Sequence, residues 1–124
     1  MEKKIRIKAG TVTAQAVLND SPTAGKIWEA LPIEASGDTW GDEIYFGIPV
    51  KAPLEKDAKE VVEVGDLGFW PPGHAFCIFF GPTPVSRGNE VRPASAVNVV
   101  GRIAGDAKVF KKVPSGSKVR IEKE

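Results

Sequence analysis

Aromatic side chains crowd into two short stretches of this sequence, Trp40, Tyr45 and Phe46 in one and Phe69 and Trp70 in the other. Rings with a polar edge line sites for extended peptides and small apolar ligands, because they combine a broad flat contact with a hydrogen-bonding atom. Core packing competes with that role. It suits Phe46 and Phe69, since Phe is commonly fully buried, whereas Trp40 and Trp70 stand beside turns and are the stronger site candidates. Among the polar groups nearby, Asp42 and Glu43 are adjacent. On a strand they point to opposite faces and cannot work as a paired acid and base across one substrate. Glu43 counts as a site residue if it points inward, and Asp42 reads as a solvated edge, because carboxylates are rarely buried unpaired. His74, in a Pro-Pro-Gly turn, could act as a general base beside a groove, against its reading as a solvated turn residue. His74 and Cys77 fall on different faces of a strand, and with one His and one Cys in the chain no zinc site can be completed. No Gly-x-Ser-x-Gly elbow, Gly-x-Gly-x-x-Gly or P-loop pattern occurs, so hydrolase and nucleotide readings fall away and no cofactor is implied.

The elements that must hold these residues are short strands. Thirteen Gly and ten Pro punctuate the 124 residues, breaking apolar runs at intervals of roughly 8 to 12 residues, the spacing of an all-β sandwich or barrel. Residues 4–8 alternate cleanly and, with 11–17, read as a hairpin. Ser21 as N-cap, Pro22 at the first helical position and Ala24, Ile27, Trp28 and Leu31 along one face give a short helix that Pro32 stops. Such a helix suits the open mouth of a barrel, with Trp28 a core residue. A turn at Gly37-Asp38 is followed by expected strands at 43–48, 60–64 and 67–70. A Pro-rich turn leads to 75–80, whose unbroken apolar run predicts burial on both faces. Residues 81–94 form a long surface loop of the kind that carries function, with Pro71-Pro72 and Pro82-Thr83-Pro84 as rigid turns shaping the rim of a site. Strand 96–103, a helical turn through Phe110 and a closing strand 118–122 complete one domain over residues 1–124.

Composition narrows the function. Apolar residues at 42% and charged residues at 27% are ordinary globular values. Seventeen Lys and Arg against sixteen Asp and Glu, scattered except at the two ends, leave no footprint for nucleic acid. The lone Cys77 lies in an apolar run and reads as a buried thiol in a reducing cytoplasm. The start of the chain lacks the apolar stretch of a signal peptide or membrane anchor, so no membrane partner is expected.

The order of elements, ending in Val97-Asn98-Val99-Val100-Gly101-Arg102-Ile103, resembles the cyclophilins. Four blocks are similar to a compact prokaryotic cyclophilin-like family of uncharacterised function: Thr39-Trp40-Gly41-Asp42-Glu43-Ile44-Tyr45-Phe46, Gly65-Asp66-Leu67-Gly68-Phe69-Trp70-Pro71-Pro72-Gly73, Phe79-Phe80-Gly81-Pro82-Thr83-Pro84 and Pro93-Ala94-Ser95-Ala96-Val97-Asn98-Val99. The resemblance implies a mainly β fold, a closed barrel of about eight strands with one or two short helices capping its ends. It also exposes departures from cyclophilins, whose groove uses an arginine in a Phe-His-Arg-like strand, a glutamine, a tryptophan and a histidine. Here Phe46-Gly47-Ile48-Pro49 stands where Phe-His-Arg would be, Val85 falls near the tryptophan and Val97 or Asn98 near the histidine. Twisting a prolyl bond faces a barrier of roughly 20 kcal/mol and needs a group that binds the twisted state more tightly. Arg87 and Arg92 in the loop are the arginines available for recruitment. The expectation is therefore a binding module for a peptide or small molecule, with Trp40, Glu43, Tyr45, Trp70, His74 and Arg87 as ligand-binding residues. A prolyl isomerase with unorthodox residues, and an interaction surface formed by edge strands or the long loop, are the rival readings.

Overall fold

The structure is a computed structural model that describes residues 2–124. Eight strands follow the chain: β1 (Lys3–Ala9), β2 (Val12–Leu18), β3 (Ile33–Thr39), β4 (Glu43–Gly47), β5 (Asp66–Trp70), β6 (Ala75–Phe79), β7 (Asn98–Ala104) and β8 (Ser117–Lys123), with the helix α1 (Pro22–Ala30) after β2. They close in the order β1-β2-β7-β5-β6-β4-β3-β8, with β8 returning to β1 and neighbours antiparallel throughout. Closure pairs both sides of each strand, so the barrel offers no open edge as a contact surface.

Period-two alternation builds the wall. Ile5, Ile7 and Ala9 point into the core while Lys4, Arg6 and Lys8 face out, and Arg6 and Lys8 lie within salt-bridge distance of Glu122. Ser21 Oγ accepts the Ala24 N–H at 3.2 Å and Pro22 opens α1 as expected. Thr23 of α1 meets Asn98 at the start of β7, and a 3-10 segment, Ala107–Lys112, follows the other end of β7 and inserts Phe110 beside Phe80. The two short helices therefore stand at opposite ends of the barrel. Only part of the expected helix face is core: Ala24 and Ile27 are fully buried, but Trp28 is half-buried at the rim with Lys123 Nζ 4.6 Å from its ring centroid. A helix lying across a barrel mouth buries its centre line and leaves its last turn beside solvent.

Two elements differ from the sequence expectation. Residues 60–64 are not a strand; they cross the outside of the barrel, tied to the segment 81–97 by isolated bridges, Lys59 with Val97 and Val62 with Val91. The strand that takes the remaining place in the barrel is β3, across the expected Gly37-Asp38 turn. Gly37 there pairs with Ser117 and occupies a core-facing position, where a Cβ would meet Ile44 Cγ2 at 2.8 Å and Val119 Cγ2 at 2.9 Å. A strand whose inward residue must be glycine carries no apolar alternation, and its composition imitates a turn.

The apolar residues divide into two bodies. The larger fills the barrel, with Phe69, Phe76, Ile78 and Phe110 fully buried. The smaller lies outside the wall, where Ala75, Cys77 and Phe79 from the outer face of β6 meet Val62, Val91 and Val97 from the crossing segments. This is why the β6 run is apolar without interruption: both of its faces are covered. No helix among the described residues is long and apolar enough to cross a membrane.

Candidate ligand-binding site

The outer body surrounds a cavity. Alternation sends Glu43 and Tyr45 outward from β4, and the register aligns Tyr45 with Cys77 and Gly47 with Ala75 across to β6. On the far side Gly68 pairs with Cys77 and Trp70 with Ala75. Gly68 keeps this floor low, since a Cβ there would stand 3.1 Å from both Phe79 Cε2 and Val97 Cγ2. Over the floor runs the segment 81–97, braced by its own hydrogen bonds. Thr83 N–H donates to Ser86 Oγ at 2.9 Å, Arg92 N–H to the same oxygen at 3.1 Å, and the Arg92 guanidinium holds Glu90 at 2.7 Å. Backbone bonds between Lys59 and Val97 and between Val62 and Val91 fasten it to the neighbouring segment.

Both tryptophans are set by turn geometry. Trp40 follows the last residue of β3, donates its backbone N–H to Glu43 O at 2.9 Å, and is followed by Gly41 at φ +60. A Cβ at Gly41 would meet Pro84 Cδ at 2.8 Å and Thr83 Cα at 2.9 Å, so glycine serves both the left-handed backbone and the close approach of the loop. Trp70 ends β5. Its ring lies over Gly73, where a Cβ would be 2.9 Å from Trp70 Cζ3, and its indole Nε1–H donates to Ser95 Oγ at 2.7 Å. Between the two indoles opens a cavity of about 180 Å³, lined also by Glu43, Tyr45, Ala75 and Cys77 from the sheet and Pro93, Ala94 and Val97 from the loop.

One polar group dominates this apolar lining. Glu43 is only 5% exposed, and its Oε1 is the sole buried side-chain oxygen or nitrogen among the described residues with no hydrogen-bond partner. Burial pushes its carboxyl up to about 7, with the Cys77 thiol, its diagonal neighbour on the same face, drawing it partly back. The thiol is in turn raised well above its ordinary value, first by burial and then by the Glu43 charge. It is a poor nucleophile in this setting.

Of the residues singled out from the sequence, Trp40, Glu43, Tyr45 and Trp70 come together around the cavity. His74 and Arg87 do not reach it. His74 is exposed in the left-handed region at φ 48, closing the 3-10 turn Pro71–Gly73, and Arg87 is exposed at the tip of the loop. Glu43 does face a site, but one on the outside of the barrel wall, under the loop. Asp42 is half-buried and pairs with Lys111 at 3.8 Å. Pro93 and Ala94 come from the loop expected to carry function, whereas Ala75, Cys77 and Val97 were not legible as site residues. A pairing of β4 with β6 would have revealed Ala75 and Cys77, whereas nothing in the loop's sequence says which of its residues line the cavity. Val97 lines the cavity, while Asn98 turns away into a buried network, accepting Glu55 N–H at 2.8 Å and donating to Thr23 Oγ1 and Pro53 O at 3.0 Å. Val85 is exposed and outside the lining. No group of three or more potential metal ligands occurs among the described residues.

A closed antiparallel barrel with a short helix at each end and a looped-over outer site defines a cyclophilin-like domain. The sequence signature described as cyclophilin-like matches residues 3–122, and the chain belongs to that family. It is similar over 99% of its length to a hypothetical protein from Archaeoglobus fulgidus, whose solution structure superposes with a TM-score of 0.84 at 41% identity, covering 95% of that chain. No curated protein matches the chain.

Proposed function

We propose that this protein is a binding module that holds a small molecule or a short peptide segment in the cavity between Trp40 and Trp70, and does not turn over prolyl bonds. The observation that carries the reading is a preformed, mostly apolar cavity with one converging polar group, the buried Glu43 whose Oε1 has no hydrogen-bond partner. No arginine lines the cavity among the described residues, and Arg92 is engaged by Glu90, so the donor that isomerisation requires is missing from the lining. Small molecules or peptides fit this cavity better than nucleic acid or a membrane surface, given the near-neutral, scattered charge. The buried thiol of Cys77 suits a reducing cytoplasm.

The test is a tryptophan-fluorescence screen of small apolar compounds and proline-containing peptides, run on a Trp28→Phe background so that the signal comes from the cavity. A ligand of the site shifts the emission. Trp70→Ala then weakens binding several-fold, since an aromatic anchor contributes on the order of 1 to 2 kcal/mol, while cooperative unfolding is retained. If Trp70→Ala unfolds the barrel outright, the ring is core and the reading fails. Exchange NMR on a proline-containing peptide should show isomerisation near background, and a rate like that of an ordinary cyclophilin would overturn the proposal.

A further inference from the structure

Resting on that reading of the cavity, we propose that its ligand is a protonated organic amine, seated with an N–H on the Glu43 carboxylate and with its carbon substituents against the rings of Trp40, Tyr45 and Trp70. The argument begins from how this protein treats its other buried polar groups. Asp66 accepts the Arg102 guanidinium at 2.8 Å and the Glu63 N–H at 2.9 Å. Asn98 is bonded on both sides of its amide, and Thr83 bonds to Ser86 and to Arg92 O. Glu43 alone keeps a buried oxygen without a partner. Such an atom forfeits its hydration and gains nothing in exchange, so the arrangement is costly until something else supplies a donor.

What that donor is follows from the surroundings. An ionised carboxylate only accepts hydrogen bonds. No salt bridge among the described residues involves Glu43, and Lys111 pairs with the adjacent Asp42 instead. Three aromatic rings line the same space, and their electron-rich faces attract a cation, more strongly where water is excluded. The remaining walls, Ala75, Pro93, Ala94 and Val97, are apolar and suit alkyl carbon. With about 180 Å³ available, the occupant has roughly the bulk of benzene, which fits a cavity of about 150 Å³. A quaternary ammonium offers no N–H to the orphaned oxygen, so primary, secondary and tertiary ammonium groups fit best. The same head exists on a free amine and on a lysine or methylated lysine side chain.

Protonation gives the proposal a sign. The titratable groups facing Glu43 are Cys77 from β6 and Tyr45 from β4, and the covering loop brings none to the lining. Since the empty site holds Glu43 protonated up to about pH 7, a cation must displace that proton below neutrality. Affinity therefore rises with pH to about 7 and then levels, losing up to about tenfold for each unit below. A neutral ligand accepting a hydrogen bond from the protonated carboxyl gives the reverse.

The experiment is a calorimetric titration of the full chain between about pH 5 and 8 with piperidinium, its neutral isostere tetrahydropyran, and a short peptide carrying dimethyl-lysine. Expected at the upper pH is a preference for piperidinium over tetrahydropyran of about tenfold or more. The preference shrinks as pH falls and is lost in Glu43→Gln, whose fold is checked by circular dichroism. Tighter binding of the peptide than of piperidinium assigns the ammonium to a lysine side chain, and the converse to a free amine. Equal or better binding of tetrahydropyran, or affinity that grows as pH falls, overturns the ammonium assignment while leaving the cavity a binding site. If neither cyclic probe nor the peptide binds or shifts tryptophan emission up to about 10 mM, the binding-module reading falls with it.

Discussion

The inside of the barrel and the layer on its outer wall are built from the same strands to opposite ends. Within the barrel, Phe46 and Phe76 stack at 5.5 Å, Phe110 fits beside Phe80, and Gly37 is held to a hydrogen so that Ile44 and Val119 can close over it. On the outside, residues one step along the same strands surround a cavity and an unpaired carboxyl. Tight packing stabilises but leaves no room for a ligand, and a site needs a vacancy whose cost the rest of the fold must carry. Alternation along β4 and β6 lets one stretch of chain serve both purposes.

The largest expected effect tests the inner half of that contrast. Phe76→Ala should cost about 3 to 5 kcal/mol by denaturant titration, because the ring is fully enclosed and its neighbours are fixed by the closed wall. A loss below about 1 kcal/mol would mean that stability does not reside in the interior.

The outer half is tested by pH. Burial raises Glu43 from 4.5 to about 7, so between those values the unfolded chain ionises while the folded one stays protonated. Folding stability from this group is fully present below 4.5, falls across the window and is flat above about 7. The difference approaches roughly 3 kcal/mol at about 1.4 kcal/mol per unit. Glu43→Gln should match the parent at the acid end and exceed it by up to about that amount at pH 8. Denaturant titrations at the two ends of the range decide it, and parallel pH profiles for the two proteins would show the carboxyl to be solvated.

The smallest effect falls at the rim of the interior, under the helix. Trp28 is half-buried and holds Lys123 over its ring, so Trp28→Ala should cost about 1 to 2 kcal/mol, well short of a buried tryptophan. A thermal-unfolding comparison with Phe76→Ala checks the ranking. A cost equal to that of Phe76→Ala would place the helix deeper in the mouth than the structure does.

Much of the barrel was legible from local chemistry. The hairpin of β1 and β2, the Ser21-Pro22 start of α1, the two-faced burial of β6 and the turn before Phe110 follow from periodicity and caps, which act between residues close along the chain. The site was partly legible. Trp40 and Trp70 stand out because a large ring beside a turn has no fixed place in an alternating pattern, and Glu43 and Tyr45 share their face of β4. Tertiary structure decided the rest. Gly37 reads as a turn until Ile44 and Val119 are brought from two other strands to exclude its side chain. Residues 60–64 read as a strand because three of the five are valine, yet only Val62 packs, and it does so on the outside of the wall. Val97 and Asn98 are adjacent and point one to the cavity and the other to α1, a choice set by where β7 begins to pair. The unpaired state of Glu43 is likewise no property of its own sequence neighbourhood. It exists because a loop some fifty residues away folds over the strand and shuts out water without supplying a donor.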